Sequence, residues 1–214
     1  YRDVYLMSTP DVHIQDHYLS TDLNEEYRDA KLKVQANISN YGKKNLKDHS
    51  LRIQLYDQDL KPVSGATALY ALENLDKQRS TKADLSIELK NPKKWSAEYP
   101  TLYTLLMELM DENQEVVEIQ SSRVGFREVE VMDQAIYVNG KAIKFNGVNS
   151  HMLHPLTGHT MDVETMRKDL HLMKQFNINC VRTSHYPPNV EYLDLADELG
   201  IYVVDETGDE AHAY

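Results

Sequence analysis

Cysteine is nearly absent from the 214-residue chain: one occurs, Cys180. A single thiol excludes an intrachain disulfide framework, and its place in an apolar run predicts a buried, inert side chain. Positive charge is also short, with 23 Lys and Arg against 34 Asp and Glu, a formal net charge of −11. With the acids spread along the chain and no basic block, nucleic acid and anionic membrane surfaces are excluded as expected partners. No apolar run approaches the roughly 20 residues that cross a bilayer. No charged-then-apolar segment opens the chain either. Tyr1 is not a natural start, so the compartment, cytoplasmic or periplasmic, stays open for a protein expected to be soluble. Tryptophan occurs once, as Trp95 between Pro92 and Pro100, whereas 14 of the 18 aromatics are tyrosine. Trp95 has two readings, a carbohydrate platform or a side chain that packs its loop onto a sandwich. The second is the ordinary fate of a lone tryptophan among prolines, and it is the expectation here.

What is present divides in two. From about Val12 to Arg123 the pattern is all-β. Leu32, Val34, Ala36 and Ile38 alternate with polar residues, as do Leu51, Ile53, Leu55 and Leu85, Ile87, Leu89. Asp111-Glu112-Asn113-Gln114 reads as a turn between strands at Leu102–Met110 and Val116–Ile119. Short alternating strands separated by turns predict a β-sandwich.

After Gln134 the period changes. Asn139-Gly140 between Ile136–Val138 and Ala142–Phe145 is a strong hairpin signal, expected to close the bottom of a barrel. Beyond it the pattern predicts strand Phe145–Val148, helix Asp162–Phe176, strand Ile178–Arg182, helix Val190–Leu199 and strand Ile201–Asp205. Asp162 and Asn189 stand as N-caps and Gly200 as a C-terminal stop. Met166, Leu170 and Met173 should face inward on the first helix, and Leu193, Ala196 and Leu199 on the second. Uniformly apolar strands alternating with amphipathic helices mean a parallel sheet, whose chemistry gathers beyond the carboxyl ends of the strands. Arg182, His185, Glu206, Glu210 and His212 all fall at that edge. A closed barrel takes eight such units and about 250 residues, so this portion is expected to be a fragment.

The runs RTSHYP and YVVDE resemble the start of the catalytic barrel of glycoside hydrolase family 2, which holds β-galactosidases, β-glucuronidases and β-mannosidases. FNGVNSHMLHPLTGHTMDVETMRKDLHLMKQFNINCVR is similar to the same segment of the large bacterial β-galactosidases. NPKKWSAEYPTLY with VGFREVEV resembles the family's junction of sandwich and barrel, and YRDVYL the strand leaving its N-terminal sugar-binding domain. The resemblance implies an immunoglobulin-like β-sandwich over residues 1–125 and the first strands and helices of a TIM barrel over 126–214.

It also implies a retaining galactosidase, in which two carboxylates flank the scissile bond. Both catalytic glutamates belong to later barrel strands, so the chain alone is expected to be inactive. By the resemblance, His151 and His185 contact the sugar and stabilise an oxocarbenium-like transition state, and Arg182 orients the nucleophile. Glu206 supports the strand end. Glu210 and His212 match two ligands of an active-site Mg²⁺. A zinc site of His151, His154 and His212 is the rival reading, unsupported by any cysteine pair or HExxH helix. Around His151 this chain carries Ser150 and Met152-Leu153, where the family's galactosidases usually have an arginine and an acid. RTSHYP and VVDE are shared with β-glucuronidases, whereas HPLTGHTM and Glu210-x-His212 resemble galactosidases. A β-galactoside is thus the expected substrate and homo-oligomerisation of the full protein the expected assembly. The alternatives are a glucuronidase, or a non-catalytic sandwich module that positions a neighbour or binds carbohydrate.

Overall fold

The computed structural model describes residues 4–208, which form two compact units. One comprises residues 6–94 and 102–128; the other comprises residues 95–101 and 129 onward, with Val4 and Tyr5.

The first unit holds strands β1 (Val12–Leu23), β2 (Ala30–Asn40), β3 (Ser50–Tyr56), β4 (Pro62–Ala71), β5 (Arg79–Leu89), β6 (Tyr103–Met110) and β7 (Val116–Val124). They form antiparallel sheets ordered β1-β2-β5 and β4-β3-β6-β7. The alternation dictates the core. Leu32, Val34, Ala36 and Ile38 of β2 join Leu51, Ile53 and Leu55 of β3 and Leu105, Met107 and Leu109 of β6 in one buried cluster. The free edge of β1 is closed by side chains of β7. Ile14 N–H donates to Glu118 Oε2 at 2.6 Å, and Gln120 Nε2 donates to the Ile14 carbonyl at 2.7 Å. The β6–β7 turn tightens on Asp111, whose Oδ1 accepts from Asn113 N and Glu115 N at 2.9 Å each.

The second unit opens with an antiparallel sheet of β8 (Val129–Met132), β9 (Ala135–Val138) and β10 (Lys141–Ile143). Asn139 and Gly140 turn β9 into β10 with φ of 51° and 73°, the positive pair that a two-residue turn between twisted strands requires. Asp133 and Gln134, at 48° and 62°, make the same turn between β8 and β9. That turn, and hence β8, carries no glycine and was invisible as a hairpin signal.

A parallel sheet follows, ordered β11 (Gly147–Ser150), β12 (Cys180–Thr183), β13 (Tyr202–Val204), with α1 (Val163–Gln175) and α2 (Val190–Leu199) as its crossovers. Each strand differs by one or two residues at its ends from the run of apolar letters. The predicted first strand, Phe145–Val148, lies two residues further on, because Asn146 is engaged by Asn179 and Asn177 rather than by a ladder. Asp162 caps α1 as expected, its Oδ1 accepting from Thr165 N at 2.7 Å. Met166 and Leu170 are buried, with Met173 packed beside them.

Two expectations for α2 are corrected. Asn189 occupies the N-cap position, yet its side chain makes no capping bond, and its buried Oδ1 has no partner among the described residues. The inner face is Tyr192, Leu195 and Ala196 with Leu199 packed against them, not a row led by Leu193. Tyr192 is apolar over its ring and fits the i, i+3, i+4, i+7 stripe better. Cys180 is buried, and burial pushes its thiol upward in pKa, which agrees with an inert side chain. No helix among the described residues is long and apolar enough to cross a membrane.

Candidate active site

Parallel pairing sets the site. Asn149 stands level with Arg182, and Arg182 with Val204, so the residues that follow each strand meet at one carboxyl edge. Arg182 is the hub of that edge. Its Nε donates to Glu206 Oε1 at 2.7 Å and its Nη2 approaches the same oxygen at 2.6 Å. Nη1 reaches Ser184 Oγ at 3.2 Å and Asn149 Oδ1 at 3.4 Å, and Nη2 also lies 3.0 Å from His185 Nδ1. All three strand ends are therefore held by one planar guanidinium, which has donors on every edge and accepts nothing.

The hub decides the state of His185. Since guanidinium can only donate, Nδ1 of His185 accepts, which puts the imidazole proton on Nε2. Glu206 Oε2, at 3.4 Å from the same Nδ1, becomes an ion-pair partner only if the ring takes a second proton. Glu206 is anchored in turn: its N–H donates to Thr183 Oγ1 at 3.1 Å, and that hydroxyl donates to Asp205 Oδ1 at 3.1 Å. The result is a half-buried imidazole aimed by Arg182, beside a carboxylate paired with the same guanidinium.

His151, past the end of β11, is exposed and lies edge-on to His185 with ring centroids 5.3 Å apart. Tyr186 continues the aromatic row at 6.3 Å from His151, and 5.8 Å from His159, whose Nδ1 meets the Tyr186 hydroxyl at 3.2 Å. The Ser184–His185 peptide is cis. His154 serves its own loop, its Nδ1 accepting from Leu156 N and Thr157 N at 3.2 Å each.

Of the residues singled out in the sequence, the structure brings His151, Arg182, His185 and Glu206 together. Glu210 and His212 lie outside the described residues, so their expected magnesium ligation acquires no geometry. Among the described residues no group of three His, Cys, Asp or Glu is placed to hold a metal ion. Sequence reading missed Asn149, Thr183, Ser184 and Asp205. Their signal was positional: each flanks a polar residue at the end of an apolar strand.

Trp95 is not an exposed platform. It is 1% exposed and belongs to the α/β unit, where its indole N–H donates to the Asp197 carbonyl at 2.7 Å.

Comparison with known proteins gives two adjoining family matches. Residues 12–127 match the pattern described as "Glycosyl hydrolases family 2", and residues 129–214 the pattern "Glycosyl hydrolases family 2, TIM barrel domain". A "Beta-galactosidase" of Priestia megaterium is 40% identical over 213 residues, covering 99% of this chain and 20% of that protein. A "Beta-galactosidase" of Vibrio cholerae is 37% identical, covering 99% of this chain and 21% of its own length. Among solved structures, a glycosyl hydrolase family 2 member from Bacteroides cellulosilyticus superposes with TM-score 0.85 at 24% identity, over 93% of this chain and 27% of that one. The Parabacteroides merdae β-glucuronidase superposes with TM-score 0.79 at 28% identity, over 93% and 24%. The chain thus spans about a fifth of the length of the curated relatives it matches.

Proposed function

The chain belongs to glycosyl hydrolase family 2, and from that premise we propose that it is part of a retaining β-galactosidase. One observation carries the reading: 99% of the chain aligns, at 40% identity, with a protein named β-galactosidase. Within the complete protein the strand-end cluster supplies the surroundings of the reaction. His185, its proton on Nε2, donates to a ring hydroxyl, and His151 offers a second imidazole beside it. Donors fixed in this way strengthen as positive charge develops on the sugar ring and its hydroxyls polarise. Arg182, held by Glu206, keeps a fixed cationic field at the strand ends and orients the nucleophilic carboxylate. Glu206 is the counter-charge of Arg182 in this reading, not the acid/base or the nucleophile. Glu210 and His212 are the residues that would hold a magnesium ion, which supplies charge stabilisation when bound. The complete protein acts on β-galactosides, as a homo-oligomer. The chain by itself is expected not to turn over, since retention needs two carboxylates about 5 Å apart.

A second reading, a β-glucuronidase, is favoured by the 28% identity and TM-score of 0.79 with the Parabacteroides merdae enzyme. Chromogenic β-galactoside and β-glucuronide, offered to the protein expressed from its complete reading frame, separate the two. The proposal expects a kcat/KM for the galactoside at least about a hundredfold higher, the discrimination a site gains by pairing a particular hydroxyl. The reverse preference identifies a glucuronidase, and hydrolysis of neither points to a non-catalytic module.

A further inference from the structure

The C-terminus of α2 is completed by a stretch of chain far away in sequence. The last carbonyls of a helix lack intrahelical donors, and a basic residue in the final turn commonly satisfies them. The last turn of α2 has none. Ala196 O is met by the N–H groups of Gly200 and Ile201 at 2.9 Å, and Asp197 O by the indole N–H of Trp95 at 2.7 Å. The missing positive charge comes from Lys174 of α1. Its Nζ donates to the Gly200 carbonyl at 3.1 Å and to the Ala97 carbonyl at 2.7 Å, which ties the two backbones together. Gly200 itself sits at φ 74°, and a Cβ there would stand 2.4 Å from Ala97 O. Glycine is required twice over, by conformation and by the closeness of the Ala97 backbone.

The same stretch reaches β13. The Trp95 ring meets Tyr202 edge-on at 5.7 Å, Phe145 packs tilted against the same Tyr202 ring at 5.7 Å, and Asn139 Nδ2 donates to the Trp95 carbonyl at 3.1 Å. Tyr202 begins β13, and Glu206, two residues past the end of that strand, lies four residues on, about 13 Å along an extended chain.

We propose that Trp95–Ala97 is a positioning segment for the candidate active site: it caps α2, fixes the start of β13, and so sets Glu206 against Arg182 and His185. Trp95 and Lys174 are its positioning residues; neither touches substrate. The catalytic meaning of this segment rests on the β-galactosidase reading, but its physical test does not use hydrolysis.

Two conservative variants of the 214-residue chain supply that test. Trp95→Phe retains a ring against Tyr202 and loses the donor to Asp197 O; Lys174→Met keeps the stem and loses the ammonium bridge. Amide hydrogen exchange is followed by NMR at Tyr202, Glu206, Met166 and Leu170, together with the imidazole ¹⁵N shifts of His185. The expected result is exchange at Tyr202 and Glu206 at least about tenfold faster in both variants, with Met166 and Leu170 of α1 unchanged. Alongside, His185 loses the signature of a single Nε2–H tautomer. Exchange that accelerates equally in α1 and β13 would show a merely structural brace and overturn the proposal. Unchanged exchange at Glu206 with an intact His185 tautomer would overturn it as well. A failed galactoside assay leaves all of these readings standing and bears on the functional proposal alone.

Discussion

Arg182 shows what a single residue type can dictate. A lysine at this place gathers three donors on one nitrogen at the end of a shorter stem, and could not span Glu206, Asn149, Ser184 and His185 Nδ1 as the guanidinium fork does. Arg182→Lys is therefore expected to leave the chain folded, yet convert the His185 imidazole ¹⁵N spectrum from one tautomer to a mixture. A single-tautomer spectrum in that variant would remove Arg182 from its directing role. Tyr192 gives a pH dependence. Its hydroxyl is buried without a partner of hydrogen-bonding geometry among the described residues, although Ser150 lies near enough to moderate the effect. Burial pushes its pKa up to about 12. Folding thus favours the neutral phenol, a contribution complete below the ordinary tyrosine value of about 10 and lost as pH rises through 12. Tyr192→Phe should keep stability at pH 7 within about 1 kcal/mol and remove that alkaline limb from urea titrations. A limb of unchanged depth would place the titration elsewhere. Residue identity was largely legible at this scale: Arg182, His185 and Glu206 were marked by polar letters at strand ends, and His151 by the family resemblance. The bonds among them were not, because which donor meets which oxygen depends on a strand register that no single run of sequence carries.

At the scale of elements, local chemistry was readable where it was self-contained. Asp162 could be read as a cap because its acceptor and Thr165 N lie three residues apart. Removing it by Asp162→Ala should lower the urea midpoint with unchanged slope. The Asp162 carboxyl is held below the usual carboxylate range first by the Thr165 N–H, and Asp111 first by the Glu115 N–H. Both contributions are present above the ordinary carboxylate pKa and fade as pH falls through the lower folded value, so each predicts weakening only in strong acid. Asn189 was misleading for the opposite reason. The letter suits an N-cap, but Met152 sulfur takes its backbone N–H at 3.4 Å in a packed loop, and its side chain turns elsewhere. Gly200 was read as a helix stop, and its second requirement, the Ala97 backbone, was hidden because that partner lies 103 positions away (200 − 97). Gly200→Ala combines strained φ with a collision against main chain, so it should destabilise by well over about 1 kcal/mol. A midpoint shift within error would contradict the observed approach.

For the whole molecule, the two compact units hold separate apolar clusters, one centred on β2, β3 and β6 and one on α1, α2 and β12. Denaturant unfolding should consequently show two transitions, with the Trp95 fluorescence change following the α/β unit rather than the sandwich. One coincident transition for fluorescence and β-sheet circular dichroism would refute that. Under the proposed function, the strand-end cluster around His185 serves galactoside hydrolysis in the complete protein. Steady-state kinetics of the complete protein and its His185→Phe variant on a chromogenic β-galactoside decide whether it does. A donor whose bond tightens in the transition state lowers kcat more than it raises KM when lost. The expected result is a fall in kcat of about 10²–10³, with far-UV circular dichroism unchanged. A kcat within about twofold of the parent would contradict it, leaving His185 an ordinary loop histidine outside the chemistry.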